Sequence, residues 1–149
     1  MDLVEFHSGE YLTFHLAGQE FAIDATRVKG IVPMHEMEAE EAAGAPRAGA
    51  RQWLIGRANV HGRPFEVMDL ARCLGLPRPA RGRNPYIVVV ESISAEDCGV
   101  FGFPVDRVCD VVLARARDYS NGKLRIGRSR RVLDADRIFH NALDPAPAC

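Results

Sequence analysis

Apolar and polar residues alternate with a period of two along most of this chain, which is the pattern of half-buried β-strands. The pattern is clearest around a His61-Gly62 pair, which separates two short alternating runs. Because glycine tolerates the positive φ of a narrow hairpin turn, these runs predict strands over 57–60 and 64–68 joined by that pair. Asp69 follows the second strand and is placed to cap a short helix. This hairpin and its capped helix form the organising unit of the chain.

The same alternation predicts further strands on both sides of this unit. A turn at Gly18 indicates a hairpin near the N-terminus. Residues 34–52 predict a surface loop with one helical turn, and residues 115–131 predict a basic, loop-like segment. Many short strands, frequent turns and brief helices indicate a mainly β, barrel-like fold. The other predicted strands are 11–16, 21–24, 86–91, 100–105 and 108–113, and a closing helix is predicted over 136–143.

A short pattern, Asp-x-x-Arg followed by an apolar residue, recurs at the ends of three apolar strands. The copies begin at Asp24, Asp69 and Asp134. In each copy the aspartate can cap the following turn, and the arginine three residues later lies on the same side. We therefore favour a structural capping role over catalysis at all three places.

The composition is that of an ordinary globular protein. The chain has 149 residues, of which 47% are hydrophobic and 26% charged. Its net charge of -1 gives no general attraction to nucleic acid or to anionic lipid. Every apolar run is shorter than the roughly 18–20 residues of a membrane span, and the acidic N-terminus does not resemble an export signal. We therefore expect a cytoplasmic protein without direct membrane insertion.

The sequence contains no arrangement typical of catalysis, metal binding or cofactor binding. The five histidines lack metal-ligand spacing, and no glycine-rich phosphate loop is present. The four cysteines lack Cys-x-x-Cys spacing and mostly have apolar neighbours, which predicts reduced, mostly buried thiols. We predict no enzyme activity, no catalytic residues, no metal and no cofactor. The cysteines are Cys73, Cys98, Cys109 and the terminal Cys149, which is expected to be exposed.

A basic run near the C-terminus is the best argument for nucleic-acid binding, because a local patch can contact phosphates on a nearly neutral protein. The run lacks interleaved aromatic residues, so a solvated loop is favoured, followed by a docking surface for an acidic protein. An SH3-like nucleic-acid-binding module stays open as an alternative. The basic residues are Lys123, Arg125, Arg128, Arg130 and Arg131.

Several of these stretches, in this order and spacing, resemble the CheW family of adaptors, which couple chemoreceptors to the histidine kinase CheA. The family's central Gly-x-x-Asn-Leu-Arg-Gly hairpin resembles residues 56–62, GRANVHG, and its following Asp-Leu pair resembles residues 69–70. The family's Val-Asp-x-Val motif resembles residues 105–108, VDRV. The resemblance covers most of residues 11–113 and extends weakly over 132–139.

The resemblance implies two intertwined small SH3-like β-barrels with short helices in a single domain, 1–149. It implies approximate sub-barrels of 12–66 with C-terminal elements and 67–135 with the N-terminal strand, and a flexible tail over 144–149. It also implies a non-enzymatic scaffold without nucleic acid as a partner. The implied partners are the regulatory domain of a CheA-type kinase, at the barrel edges, and the cytoplasmic tip of methyl-accepting chemoreceptors, in a groove between the barrels. Such a cytoplasmic protein would be recruited to membrane-associated receptor arrays.

By matching position, the resemblance assigns a receptor-groove role to Asn59, His61 and Gly62 of the central hairpin. It adds Val28 and Ile31 as neighbouring groove residues. For Gly62, Val28 and Ile31, a purely structural role in a turn or the core is predicted equally well.

Three features depart from the family pattern. His61 replaces an arginine, so a weaker, pH-dependent cation stands in for a permanent, forked one. Lys29-Gly30 replaces a position where the family has an acid. Residues 114–131 are shorter than usual and lack the expected proline-rich turn and strand, which predicts an incomplete or rebuilt second barrel. A divergent domain that has lost standard coupling therefore stays open as a second alternative.

Overall fold

The computed structural model describes residues 6–39, 53–77, 86–93 and 98–138, and these residues are mainly in β-strands. Three short 3-10 turns cover Ala25–Arg27, Met34–Glu36 and Ala116–Asp118. The strands are β1 Gly9–Leu16, β2 Gln19–Asp24, β3 Val28–Pro33, β4 Glu38–Ala39, β5 Leu54–Val60, β6 Arg63–Met68, β7 Tyr86–Ile93, β8 Cys98–Val105, β9 Arg107–Ala114, β10 Tyr119–Ser120, β11 Lys123–Ile126 and β12 Arg128–Leu133, and helix α1 is Leu70–Cys73.

The strands form two six-stranded sheets, which confirms the prediction of a mainly β fold. One sheet has the order β10-β11-β12-β2-β1-β9 and the other has the order β3-β7-β8-β6-β5-β4. In each sheet the two edge strands are consecutive along the chain and are joined by a 3-10 turn, so each sheet curls back on itself. We call them the terminal barrel (β1, β2 and β9–β12) and the central barrel (β3–β8). Residues 12–66 contribute strands to both barrels.

The two barrels repeat the same strand plan. Each has one parallel pair, β12 with β2 or β6 with β8, and the other pairs are antiparallel. Val28 of β3 pairs with Val90 of β7, and Val108 of β9 pairs with Phe14 of β1; both ladders shift register directly after these pairs. The matching registers give a residue-by-residue correspondence between the barrels. It relates Ile31 to Val111, for example, because the Ile31–Val88 pair and the Val111–Leu12 pair lie the same number of residues beyond the shift.

A central core cluster joins the barrels. Phe14 of the terminal barrel and Phe103 of the central barrel are fully buried, with ring centroids 5.6 Å apart. Phe21 packs on Phe14 with centroids 5.8 Å apart. Two smaller clusters fill the individual barrels, around Val67 in one and Leu124 in the other. Because aromatic rings bury large areas, the shared cluster makes the barrels one packed unit.

The local predictions for the hairpins and caps are confirmed. β1–β2 and β5–β6 are antiparallel hairpins, and α1 follows β6 directly. Asp24, Asp69 and Asp134 each accept a hydrogen bond from a backbone N–H two or three residues later, at 2.9, 3.2 and 2.9 Å. The three aspartates therefore have the capping role that their repeated pattern predicts.

The prediction of a loop over 115–131, and of a missing strand in this segment, is wrong. Strands β10, β11 and β12 cover most of it, and the terminal barrel has six strands. Along β11, Lys123 and Arg125 are exposed while Leu124 between them is fully buried. The charged side chains therefore lie on the outer face of a strand, where they stay in contact with water and lower the stability of the fold little.

The described part of the predicted loop over 34–52, residues 34–39, differs from its prediction in one respect. Met34–Glu36 forms the predicted single helical turn, but Glu38–Ala39 pairs with β5 as a short edge strand. Residues 135–138 are helical and begin the predicted closing helix. Residues 40–52 of the predicted loop, the remainder of that predicted helix and the tail over 144–149 lie outside the described residues.

Candidate protein-binding surface

The tip of the β5–β6 hairpin is a polar, exposed turn. His61 and Gly62 have φ values of 52° and 77°. Two consecutive positive φ values are those of a type I′ turn, whose twist matches that of the flanking strands. Asn59, His61 and Gly62 are all exposed. These three predicted binding residues are therefore accessible to a partner, and their role in binding stays a prediction.

Strand β3 passes beside the end of this hairpin. A β-carbon on Gly30 would lie 2.9 Å from Val60 Cγ2, so the glycine is what permits the approach. Ile31 follows and is 43% exposed. Val28 is half-buried and packs against the central core cluster. The structure thus leaves Ile31 exposed on the strand beside the hairpin and Val28 half-buried, and a binding role stays a prediction for both residues.

Lys29 stands where the family resemblance predicts an acid. Its Nζ lies 2.9 Å from Glu91 Oε1 on the neighbouring strand β7. Because the lysine side chain is 41% exposed, solvent screens this pair, and its contribution to stability is at most about 1 kcal/mol. Glu91 of β7 thus supplies an acidic group beside Lys29, which sequence matching did not indicate.

Exposed apolar side chains lie along the edge strands β3 and β9. On β9, Val111 and Leu113 are 55% and 61% exposed, and Val111 corresponds to Ile31 of β3. The continuous apolar run at the end of β9 was the available sequence signal, because a strand with one solvent face usually alternates. Edge strands that present apolar side chains are common sites of protein association.

The basic residues of 123–131 lie on β11 and β12, and two of them, Arg128 and Arg130, pair with a carboxylate of the protein. Arg128 donates a hydrogen bond to the Glu20 carboxylate of β2, and Arg130 Nε lies 3.3 Å from the same carboxylate. The hydrogen bond from Arg128 and the neighbouring positive charges hold the pKa of Glu20 below its usual value. This pairing reduces the positive charge that a nucleic acid would meet at this face.

The described cysteines form no disulfide, but the predicted burial does not hold for Cys109. Cys73 is half-buried, whereas Cys109 faces outward on the edge strand β9. Desolvation raises the pKa of both thiols. Cys149 and the side chain of Cys98 lie outside the described residues. Over the part of the chain that the structure describes, no group of three His, Cys, Asp or Glu side chains could hold a metal ion, and no helix could span a membrane.

Two intertwined barrels with apolar edge strands define a CheW-type β fold. The sequence matches the CheW-like domain family over residues 10–142. Because this match spans most of the chain, the protein belongs to the CheW-like domain family. The crystal structure of the scaffolding protein TtCheW from Thermoanaerobacter tengcongensis is similar, with a TM-score of 0.65, 16% identity and coverage of 85% of this chain and 88% of that chain. No curated protein matches the sequence.

Proposed function

We propose that this protein is a non-enzymatic adaptor of bacterial chemosensory signalling, which couples chemoreceptors to a CheA-type histidine kinase. The observation that carries the proposal is the family match over residues 10–142. The regulatory domain of the kinase docks at a barrel edge, and the receptor tip binds beside the β5–β6 hairpin. The protein works in the cytoplasm, at membrane-associated receptor arrays.

The surface chemistry supports binding by apolar and backbone contacts. The edge strands β3 and β9 each carry at least one exposed apolar side chain, namely Ile31 on β3 and Val111 and Leu113 on β9. An edge strand also offers backbone N–H and C=O groups to a partner. The hairpin tip beside β3 adds polar groups from Asn59 and His61. A protein partner can therefore bury apolar area at the edge while polar contacts fix its orientation.

Coupling requires that the adaptor bind two arrangements of the kinase with different affinity. A receptor movement can change kinase activity through a passive protein only if the contacts differ between those arrangements. In this mechanism the protein supplies surfaces that hold receptor and kinase in a fixed relation and performs no chemistry itself.

The proposal is tested by calorimetric titration of the full chain with the regulatory domain of a CheA from the same organism, at moderate salt. We expect micromolar or tighter binding. Ile31→Lys or Val111→Lys should weaken binding at least about tenfold, because a charge would be buried without a partner. Ile93→Lys is the matched control, since Ile93 is 54% exposed but ends the interior strand β7.

Absence of binding to every such kinase domain, by a protein that is demonstrably folded, would contradict the adaptor function and favour a divergent domain. Equal loss of affinity in all three lysine variants would contradict the assignment of docking to the edge strands.

A further inference from the structure

The chain crosses between the barrels at two equivalent places. Residues 24–28 lead from β2 to β3, and residues 104–108 lead from β8 to β9. Arg27 and Arg107 hold corresponding positions, each directly before the valine at which the ladder shifts register, although Arg27 ends a 3-10 turn and Arg107 is already the first residue of β9. The surroundings of these two arginines are nevertheless different.

Arg27 forms a two-pronged ion pair with Asp136, in the helical turn after β12. Its Nη1 donates to Oδ1 at 2.8 Å and its Nη2 donates to Oδ2 at 3.0 Å. Nη1 also donates to the carbonyl oxygen of Glu91 on β7, at 3.2 Å. The arginine and aspartate side chains are only 20% and 26% exposed. Forked pairs of this kind are stronger and more directional than single contacts.

Asp136 also binds the end of β7. Its Oδ1 accepts the backbone N–H of Ile93 at 2.8 Å, and its carboxylate accepts the hydroxyl of the fully buried Ser92. One carboxylate therefore joins three segments: the crossover into β3, the end of β7 in the central barrel, and the helical turn that follows the terminal barrel. A contact that ties both barrels to the start of β3 restricts how that strand can move.

The other crossover has no such tie within the part of the chain that the structure describes. Helix α1 follows β6 as the helical turn at 135–138 follows β12, and Asp69 and Asp134 cap them alike. In this correspondence the position of Asp136 is occupied by Ala71, which has no group to pair with an arginine. Arg107 is exposed.

The backbone amides at the two crossovers are bound by different carboxylates. The N–H of Ala17 corresponds to that of Ile93, because β1 and β7 match in register. It donates to Asp106 Oδ2 at 2.9 Å, and Asp106 belongs to the crossover itself. The backbone N–H therefore finds its carboxylate within the crossover itself at β9. At β3 the corresponding N–H is bound by Asp136, which is distant in the sequence.

We propose that Arg27 and Asp136 are positioning residues, which fix β3 and its exposed Ile31 relative to the terminal barrel while β9 stays free to adjust. The significance of β3 as a docking edge rests on the proposed adaptor function, whereas the positioning itself does not. Among the described residues, β3 is held by an ion pair that reaches both barrels, and β9 is not. The two edges therefore differ in stiffness even though they share one strand plan.

The test is amide hydrogen exchange of the full chain, comparing Arg27→Met with the matched control Arg107→Met. Arg27→Met should accelerate exchange roughly tenfold or more in β3, at 91–93 and at 135–138, while β9 and the β5–β6 hairpin keep their rates. Arg107→Met should leave both edge strands unchanged. Uniform acceleration across the chain in Arg27→Met would indicate a general loss of stability and overturn the proposal, as would no change in β3.

If Arg27→Met does not fold, Arg27→Lys gives the second measurement, because lysine keeps the charge but loses the fork. Amide exchange in the same segments should then accelerate by a smaller factor, and unchanged exchange in β3 would again overturn the proposal.

Kinase-domain titration separates this inference from the proposed function. Failure of the wild-type protein to bind would reject the adaptor function and leave the exchange result standing. Binding with equal affinity in Arg27→Met would show that the position of β3 does not matter for docking.

Discussion

The edge strands β3 and β9 hold the same place in their barrels. The contacts that each strand makes where its ladder shifts register are different. On β3, Gly30 allows close contact with Val60 of the same barrel. On β9 the corresponding residue is Asp110, and its backbone N–H and C=O both bond to the hydroxyl of Thr13, each at 3.0 Å. Thr13 is 1% exposed and corresponds to the apolar Val89 of β7.

This difference shows that the same register shift can be accompanied by different local contacts in the two barrels. A register shift leaves backbone groups without ladder partners, and these must be satisfied if they are buried. The buried hydroxyl of Thr13 bonds such groups at β9, whereas Gly30 of β3 packs against Val60 of β5. The Arg27–Asp136 pair adds a charged contact at the start of β3. A repeated fold thus presents two edges with different properties.

The largest expected effects test whether the shared core depends equally on both barrels. Phe21 and Phe101 occupy corresponding positions, and both are fully buried in the central cluster. Phe21→Ala and Phe101→Ala should each lower the free energy of unfolding by about 3–5 kcal/mol, since each leaves a large cavity. Denaturant unfolding of both variants measures this. A cost below about 1 kcal/mol for either phenylalanine would show that the barrels do not share the core equally.

A smaller effect, on acid stability, separates the two crossovers. The hydrogen bond from Arg27 and those from Ile93 and Ser92 lower the pKa of Asp136 from 3.8 to about 2. A carboxyl whose pKa is lowered in the folded state stabilises the protein above its unfolded pKa, and that contribution is lost as the pH falls through the folded value. Asp136 should therefore contribute about 2 kcal/mol at neutral pH, most of it lost between pH ~4 and pH ~2.

The measurement is the free energy of unfolding against pH for the wild-type protein and Asp136→Asn. The wild-type curve should fall more steeply through that acidic range, and the two curves should converge at its lower end. Parallel curves would mean that the ion pair is broken in solution.

Features that depend on neighbouring residues were predictable from the sequence. The His61-Gly62 turn and the caps at Asp24 and Asp69 follow from turn chemistry within a few residues. The strands of the basic segment 115–131 were not predictable in the same way. β12 pairs in parallel with β2, which lies at the other end of the chain, and its pattern of charged residues indicates a loop when that partner is unknown.

The candidate site was only partly predictable, for the same reason. The hairpin tip was located by its turn, but the exposure of Ile31 and the burial of Val28 depend on how β3 packs in three dimensions. Arg27 and Asp136 are 109 positions apart, and their pairing cannot be inferred from either local pattern. Within its own segment, Asp136 only resembles an acid at a helix start, which has an ordinary electrostatic reason to be there.

The smallest expected effect compares the two edge strands at a single position. A β-carbon at residue 30 would approach Val60 Cγ2 to 2.9 Å, and the branched valine has little freedom to move aside. Gly30→Ala should therefore destabilise the protein by about 1 kcal/mol through overpacking, although at an unhindered site alanine in place of glycine stabilises a fold by restricting the unfolded chain.

Asp110→Ala is the matched control on β9. It should change the free energy of unfolding by less than about 0.5 kcal/mol, because the Asp110 residue is exposed and only its backbone bonds to Thr13. Denaturant unfolding of the two variants compares the edges directly. Equal effects would mean that β3 does not close against β5 in solution, and that the two barrels are more alike than their packing indicates.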